Sequence, residues 1–412
     1  MKKTLLIVAM AALLSACGGS SSDNSPTNNP NNGGSNGGND NNNPPNGGST
    51  TPDVNTKTGV FTDGKISGVN YTTSSGLKGT TNQQGEFSFN DGDSVTFSIA
   101  NVQIGEATPA KAYLTPLDLA KDQNSRNNLL VFLQSLDANA NHDDGIQIST
   151  KTIALLEATN LKFDFTNSTN DFTNNADFKN LVSQSGGKIV QLDQALQNFQ
   201  KTFYSDIRGA WLFKSADSKS KVLIYFDDQG NYILGEASPT DDAGNSGIEK
   251  GNIKWNASTG KMNPSIVIDT NREWGLSHPI PSGHFLNYGK QPNTLSLTEG
   301  KDEYIFEKVK NKDNSIIGLW KMPEHIFSFF EDNSYFLLYT GNDECSNYGL
   351  ESGKYSATAN SLKVTQLEYD TTGCSGIGES FTNGNEFKLI VNQDNMSLQY
   401  SGEDKANFKR VK

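Results

Sequence analysis

The sequence predicts a mainly β, multidomain chain with a helical insert: a small β-sandwich, a helical segment, and two tandem domains of β-barrel or β-sandwich type. Three observations carry this. From Gly59 onward, short apolar–polar alternations are broken by Gly and Asn, the period-two pattern of half-buried strands. Between residues 109 and 205 the apolar spacing changes to that of amphipathic helices. From residue 206 to the end, a block of about a hundred residues occurs twice.

The elements follow in order. In residues 59–108, Ile66, Val69 and Tyr71, then Phe87 and Phe89, then Val95, Phe97 and Ile99, then Val102 and Ile104 give four or five strands. Gly85, Asp91-Gly92 and Gly105 are expected at turns. In residues 109–205, SRNNLLVFLQSL places Leu129, Leu130, Phe132, Leu133 and Leu136 on one broad helical face, with Asn124 or Ser125 as N-cap. TKTIALLEAT, NADFKNLVSQ and QLDQALQNFQKTFY continue the helical texture, the last with Leu192, Leu196, Phe199 and Phe203 on one stripe. Such stripes are core, with no cofactor implied.

The repeat is visible in four strings. Ile207-Arg208-Gly209-Ala210-Trp211 matches Ile316-Ile317-Gly318-Leu319-Trp320, and VLIYFDDQGNYILG matches IFSFFEDNSYFLLY. GIEKGNIKW at 247 matches GLESGKYSA at 349, and FEKVK at 306 matches FKRVK at 408. The copies span 206–311 and 312–412. Their opening Gly-x-Trp and basic, aromatic closing strand resemble the entry of lipocalin-like barrels. Each copy is short for a full lipocalin, so the resemblance implies small barrels filled by their own side chains. The pattern of residues 66–89, with its spaced Gly, Tyr and Phe, resembles the prealbumin-like β-sandwich modules of carboxypeptidase-regulatory type. That resemblance implies a scaffold or adhesion role, not chemistry.

The N-terminus supplies an address. Lys2 and Lys3 precede an apolar run, Leu5 to Leu14, too short to span a bilayer. Leu14-Ser15-Ala16-Cys17 resembles a bacterial lipobox, which implies removal of residues 1–16 and lipidation of Cys17. Gly18 in place of Asp implies, by resemblance to enterobacterial sorting, delivery to the outer membrane. Residues 17–58 hold almost nothing apolar and are expected to form a disordered tether about 35 Å in r.m.s. span. The formal net charge is −12, and the first sixteen residues carry two lysines and no acid. The mature chain is thus still more acidic, which disfavours nucleic acid and anionic headgroups as partners. No later segment is apolar enough to span a membrane as a helix.

Chemistry is sparse. Cys345 and Cys374, in one domain of an exported chain, are expected to form a disulfide. No nucleophile motif, Walker loop or HExxH occurs among the four histidines and their neighbours, so no enzyme activity is expected. REWGLSHPIPSGHF, an insert of the first β repeat, offers Trp274, His278 and His284 as a ligand-contacting loop; the plain alternative has Trp274 closing one end of its barrel. In LDANANHDDGIQI, Asp137, Asn139, Asn141 and Asp143 occupy positions 1, 3, 5 and 7 of a calcium-type loop, with Asp144 adjacent. His142 stands where the sharp turn wants Gly, and Ile148 where a bidentate Glu would sit. The expectation is a weak, structural calcium ion, against the alternative of an Asx-rich turn capping the preceding helix.

Together these readings point to a non-enzymatic, lipid-anchored cell-envelope protein. It would be exposed on the surface as an adhesin or host-factor binder, with a host or envelope protein or glycan as partner. The rival expectation is a periplasm-facing lipoprotein that carries a small apolar ligand or aids envelope assembly.

Overall fold

The computed structural model describes residues 56–215, 219–238, 244–278, 283–344, 346–400, 402 and 405–412. The signal segment, Cys17, residues 17–55 of the expected tether and Cys345 lie outside the described residues. Thr56–Thr58, assigned to the tether from sequence, instead begin the first strand, with Thr56 paired to Asn90.

The chain is mainly β, as its patterning predicts. The N-terminal module is a sandwich. One sheet holds Glu86–Asn90, Thr56–Phe61 and Tyr113–Leu114; the other holds Lys78–Thr80, Asn70–Thr73, Ser94–Ile99 and Val102–Pro109. Phe61 and Phe87 from the first sheet meet Phe97 from the second, with ring centroids 4.4 and 5.3 Å away. One turn expectation is corrected: Gly105 lies inside Val102–Pro109, and the chain reverses at Ala100-Asn101. At Gly105 φ is +71°, a Cβ would stand 2.4 Å from the Leu119 carbonyl oxygen, and the register slips between Ile104 and Thr108. A bulge and a turn demand the same residue, so composition does not separate them.

Five helices follow: Gln123–Ser135, Thr150–Thr159, Thr169–Asn174, Ala176–Ser185 and Leu192–Ile207. The N-cap of the first is Asp122, not Asn124 or Ser125; its carboxylate accepts the Ser125 N–H at 2.8 Å. From Asn127 to Ser135 this helix is buried all round rather than on one face. Buried Asn128 donates to the Phe165 and Asn167 carbonyls, both at 2.8 Å. The last helix docks on the first β repeat, where Phe203 stacks on Trp255 with centroids 3.9 Å apart.

The two repeats share one strand plan. Residues 209–308 form an eight-stranded antiparallel sheet whose edge strands are Ser265–Asp269 and His284–Tyr288. Among the described residues these edges do not pair, and only a Lys261–Phe285 bridge spans the gap. Residues 318–410 form a closed eight-stranded barrel, because Ser361 and Leu362 pair with Lys388 and Phe387. Each repeat opens alike: Trp211 Nε1 donates to the Ile207 carbonyl at 2.6 Å, and Trp320 Nε1 to the Ile316 carbonyl at 2.7 Å. The interior of the second barrel is one cluster of its own side chains, including Trp320, Phe327, Phe329, Tyr335, Phe387 and Phe408. A separate cluster joins the outer faces of the two repeats, with Leu223, Tyr225 and Ile248 against Leu319, Phe336, Leu338 and Leu350. Gly235 allows that approach; a Cβ there would lie 2.2 Å from Leu338 Cδ2.

Candidate functional site

The loop Asp137–Asp144 is held from within. Buried Asp137 accepts the N–H groups of Asn141 and Gln147, both at 2.9 Å. Asn139 accepts from the same Asn141 N–H and donates to Asp144 at 3.1 Å, and the Asn141 side chain accepts the Asp143 N–H at 3.4 Å. Asp143 pairs with Lys201 at 2.6 Å. The five residues singled out from sequence are thus brought together. The indispensable glycine comes later than the calcium-loop template would have it: Gly145 has φ +100°, and a Cβ there would stand 2.2 Å from the Gly64 carbonyl oxygen. Immediately after it, Ile146-Gln147 pairs in parallel with Ile66-Ser67. The loop therefore fastens the helical segment to the sandwich.

That attachment makes one wall of a cleft. A space of about 420 Å³ is lined by Lys65, His142, Asp143, Asp144, Lys201 and Asp206, among others. A second, of about 250 Å³, adds Glu86, Tyr113, Trp211, Tyr288 and Lys308 while again using Lys65 and Asp206. The sandwich, the helical segment and the first repeat all contribute.

The electrostatics here are unusual for a surface. Asp206 accepts the Tyr288 hydroxyl at 2.7 Å, and Tyr288 stacks on Tyr113 with centroids 5.1 Å apart. Desolvation raises the Asp206 carboxyl above its ordinary range, against the Tyr288 hydrogen bond and the charges of Lys308 and Lys65. Behind it, buried Asp63 is raised to about 7, mainly by desolvation, with the charge of Asp206 adding to the effect and the Gln134 hydrogen bond opposing it. Gln134 donates to Asp63 at 2.8 Å and to the Ala195 carbonyl at 3.0 Å, tying sandwich to helices. Burial likewise depresses Lys308. A cleft at a module junction with converging perturbed groups is the usual setting for ligand recognition.

His278 and His284 lie near a buried residue not singled out from sequence, Glu249, and Trp274 meets His278 through its backbone carbonyl. Glu249, fully buried, accepts the Tyr232 hydroxyl, the Leu276 N–H at 3.0 Å, the Ser277 N–H at 3.1 Å and the Ser277 hydroxyl. His278 Nδ1 lies 3.0 Å from Ser277 Oγ and 3.3 Å from the Trp274 carbonyl. His284, expected on the loop, instead opens the strand His284–Tyr288 and is fully buried. Glu249, Asp269 and His278 present ligand atoms within 4.8 Å of one another, but four donors already fill the lone-pair positions of Glu249. Glu249 is accordingly a clamp for the loop rather than a metal ligand. The second repeat repeats it: Glu351 accepts the Tyr335 hydroxyl at 2.5 Å, the Ile377 N–H at 3.1 Å and the Gly378 N–H at 3.1 Å. Nearby, Ser346 bridges Gly373, which brings together the chain neighbours of Cys345 and Cys374.

No protein-family profile matches the chain, and no curated protein does. Among solved structures, the β subunit of DNA polymerase III from Pseudomonas aeruginosa is returned at 9% identity, covering 52% of this chain and 62% of that one, with TM-score 0.10. The same organism's DNA polymerase sliding clamp, with ligand, is returned at 7% identity, 51% and 61% coverage, and TM-score 0.10. The chain thus spans less than two-thirds of those proteins, and at such a TM-score the likeness carries neither fold nor function.

Proposed function

We propose that this chain is a non-enzymatic, lipid-anchored binding protein of the outer membrane, exposed at the cell surface, that takes a polar ligand in the cleft where sandwich, helical segment and first repeat meet. The observation that carries the reading is the cleft itself: polar side chains of both signs from three modules, with Lys65 and Asp206 common to its two parts. Such a lining suits a glycan or a polar peptide segment of a host or envelope protein. Carriage of an apolar ligand is less well supported, because the second barrel is packed with its own aromatic side chains. The lipid on Cys17 supplies the anchor in this proposal, and calcium in the Asp137–Asp144 loop enters as a weak structural ion. A melting temperature unchanged between chelator and millimolar calcium would dispose of that ion.

Two measurements test the main reading. Protease shaving of intact cells should release fragments of the folded body; complete protection would move it to the periplasmic side. Screening the full chain on glycan and peptide arrays should return ligands whose affinity falls at least about tenfold in Lys201→Ala or Asp206→Asn. Ligands indifferent to both substitutions would remove the cleft from the proposal.

A further inference from the structure

The stretch that joins the sandwich to the first helix lies against the first repeat. The Ala112 N–H donates to the Lys290 carbonyl at 3.1 Å, and Tyr113 stacks on Tyr288. Beside this contact is a cavity of about 310 Å³, bounded by Lys111, Asp118 and Arg126 from the connection and by Asn287, Thr298 and Glu303 from the repeat. It shares only Tyr288 with the junction cleft. Walls from different modules thus enclose a space fit for a small ligand. Strand pairing does not demand that the repeat's wall be polar. Leu389 pairs with Leu398 in the second repeat as Leu286 pairs with Leu297 in the first, so Ile390 replaces Asn287, and it is 44% exposed.

The acids of this cavity are already engaged. Asp118 accepts Lys111 at 2.7 Å, the Thr115 N–H at 2.8 Å and the Thr115 hydroxyl at 2.9 Å. Glu303 accepts the Ser296 hydroxyl at 2.7 Å and Lys290 at 3.3 Å. The Ser296 bond, against partial desolvation, holds Glu303 below its ordinary range, and Lys290 and Lys111 add to the effect. Each carboxylate is thus balanced by an ammonium group. Arg126 is not. Its Nε donates to the Ala120 carbonyl at 2.8 Å, and among the described residues its terminal nitrogens make neither hydrogen bond nor ion pair. The Asn287 amide and the Thr298 hydroxyl, on the facing wall, likewise make no hydrogen bond among the described residues. Three cations against two carboxylates leave the cavity positive, in a chain whose formal net charge is −12. The foremost unspent group is the guanidinium fork, which matches a carboxylate or phosphate with two parallel hydrogen bonds.

We propose that this cavity binds an oxyanion, a carboxylate or phosphate borne by a small ligand, through the Arg126 guanidinium, with Asn287 and Thr298 as further hydrogen-bonding groups. Lys111 and Lys290 retain N–H groups beyond those given to Asp118 and Glu303 and complete the positive surround. The site is separate from the junction cleft and does not depend on what that cleft takes.

The test titrates the full chain by calorimetry, at low ionic strength, with glucuronate, glucose 6-phosphate and glucose. At least one anionic probe should bind at one equivalent, at least about tenfold more tightly than glucose. Which of the two binds better tells a carboxylate source from a phosphate source. Arg126→Lys keeps the charge and loses the fork, so affinity should fall about tenfold. Thr298→Asp leaves the connection untouched and sets a carboxylate in the cavity, so it should abolish binding while the melting temperature holds. Lys201→Ala, which strikes the junction cleft alone, should keep the anion. Failure of both anionic probes to bind would overturn the proposal. So would binding that survives Arg126→Lys and Thr298→Asp unchanged, or binding that is lost with Lys201→Ala.

Discussion

In the second repeat a tyrosine hydroxyl, a buried glutamate and the amides of a loop are joined, and the same joint occurs in the first. Tyr232 with Glu249 corresponds to Tyr335 with Glu351, and the loops they hold read Gly275-Leu276-Ser277 and Gly376-Ile377-Gly378. Away from that joint the copies diverge. One closes its barrel and fills it with rings; the other leaves its edge strands bridged at one point and buries a histidine among acids. What both copies keep is needed to fold either of them. What only one has is free to serve another purpose, and the comparison directs attention to the polar end of the first repeat.

The joint can be broken in each copy separately. A Cβ on Gly376 would lie 1.6 Å from Glu351 Oε2, and one on Gly275 would lie 2.5 Å from Glu249 Oε2, at φ +90°. Gly376→Ala should destabilise the chain by about 4 kcal/mol and Gly275→Ala by about 3 kcal/mol, read from denaturant midpoints. A harmless Gly275→Ala would mean that only the second repeat depends on its clamp. The second repeat also has both cysteines that follow Cys17. If Cys345 and Cys374 are joined, as we propose, Cys374→Ser should lower stability by about 3 kcal/mol under oxidising conditions and by nothing under reduction. Equal stability of the variant and the oxidised wild type would remove the bond from the account.

The clamp has a pH signature in the second repeat. Glu351 is raised to about 7, by desolvation first and then by the charge of Asp370, against the Tyr335 and loop-amide hydrogen bonds. Its unfolded value is near 4.5, so between those limits the folded chain holds the proton more tightly. Its contribution is fully present below about pH 4.5 and is lost as pH rises towards 7. The loss is on the order of 2–3 kcal/mol. Asp63 acts with the same sign from outside the repeats. The informative quantity is therefore a difference: the fall in melting temperature from pH 5 to pH 8 should be smaller in Glu351→Gln than in the wild type. Equal falls would show that Glu351 is ionised in the folded chain throughout.

The sequence made some of this legible. The repeat, the sandwich strands and the helical stripes were readable because each rests on periodicity within a few dozen residues. Glu249 and Glu351 were within reach: GIEKGN and GLESGK keep a glutamate inside a strand otherwise set for packing, at an offset of 102 residues. A charge retained at a strand interior in both copies signals a buried polar joint. The junction cleft had no such signal. Lys65, Asp206 and Tyr288 are far apart in sequence, and contacts between modules, the last helix on Trp255 and Tyr113 on Tyr288, bring them together. His284 was misread because Pro and Gly around it look like a loop, whereas the strand begins at that residue. The turn assigned to Gly105 failed for the related reason that a bulge and a turn use the same residue.

The smallest difference between the copies lies at their closing strands, and it separates a basic residue that snorkels from one that is built in. Lys308 stands over the Trp211 ring at 5.1 Å and Arg410 over Trp320 at 4.0 Å. Arg410 also donates to the carbonyls of Ile317 at 3.0 Å, Ser315 at 2.7 Å and Gln393 at 3.2 Å, closing the second barrel across its first strand. Among the described residues, the Lys308 ammonium donates only to the Asp206 carbonyl, at 3.5 Å. Removing Arg410 takes a donor from three carbonyls, of which Ile317 keeps the Lys312 N–H at 3.1 Å, and uncovers an indole. Arg410→Ala should therefore cost about 2 kcal/mol, and Lys308→Ala below about 1 kcal/mol. Arg410→Lys should recover little, because a point charge cannot serve three acceptors from a planar fork. If Arg410→Lys restored full stability, ring contact alone would account for the residue. The closing strands of the two repeats would then be equivalent.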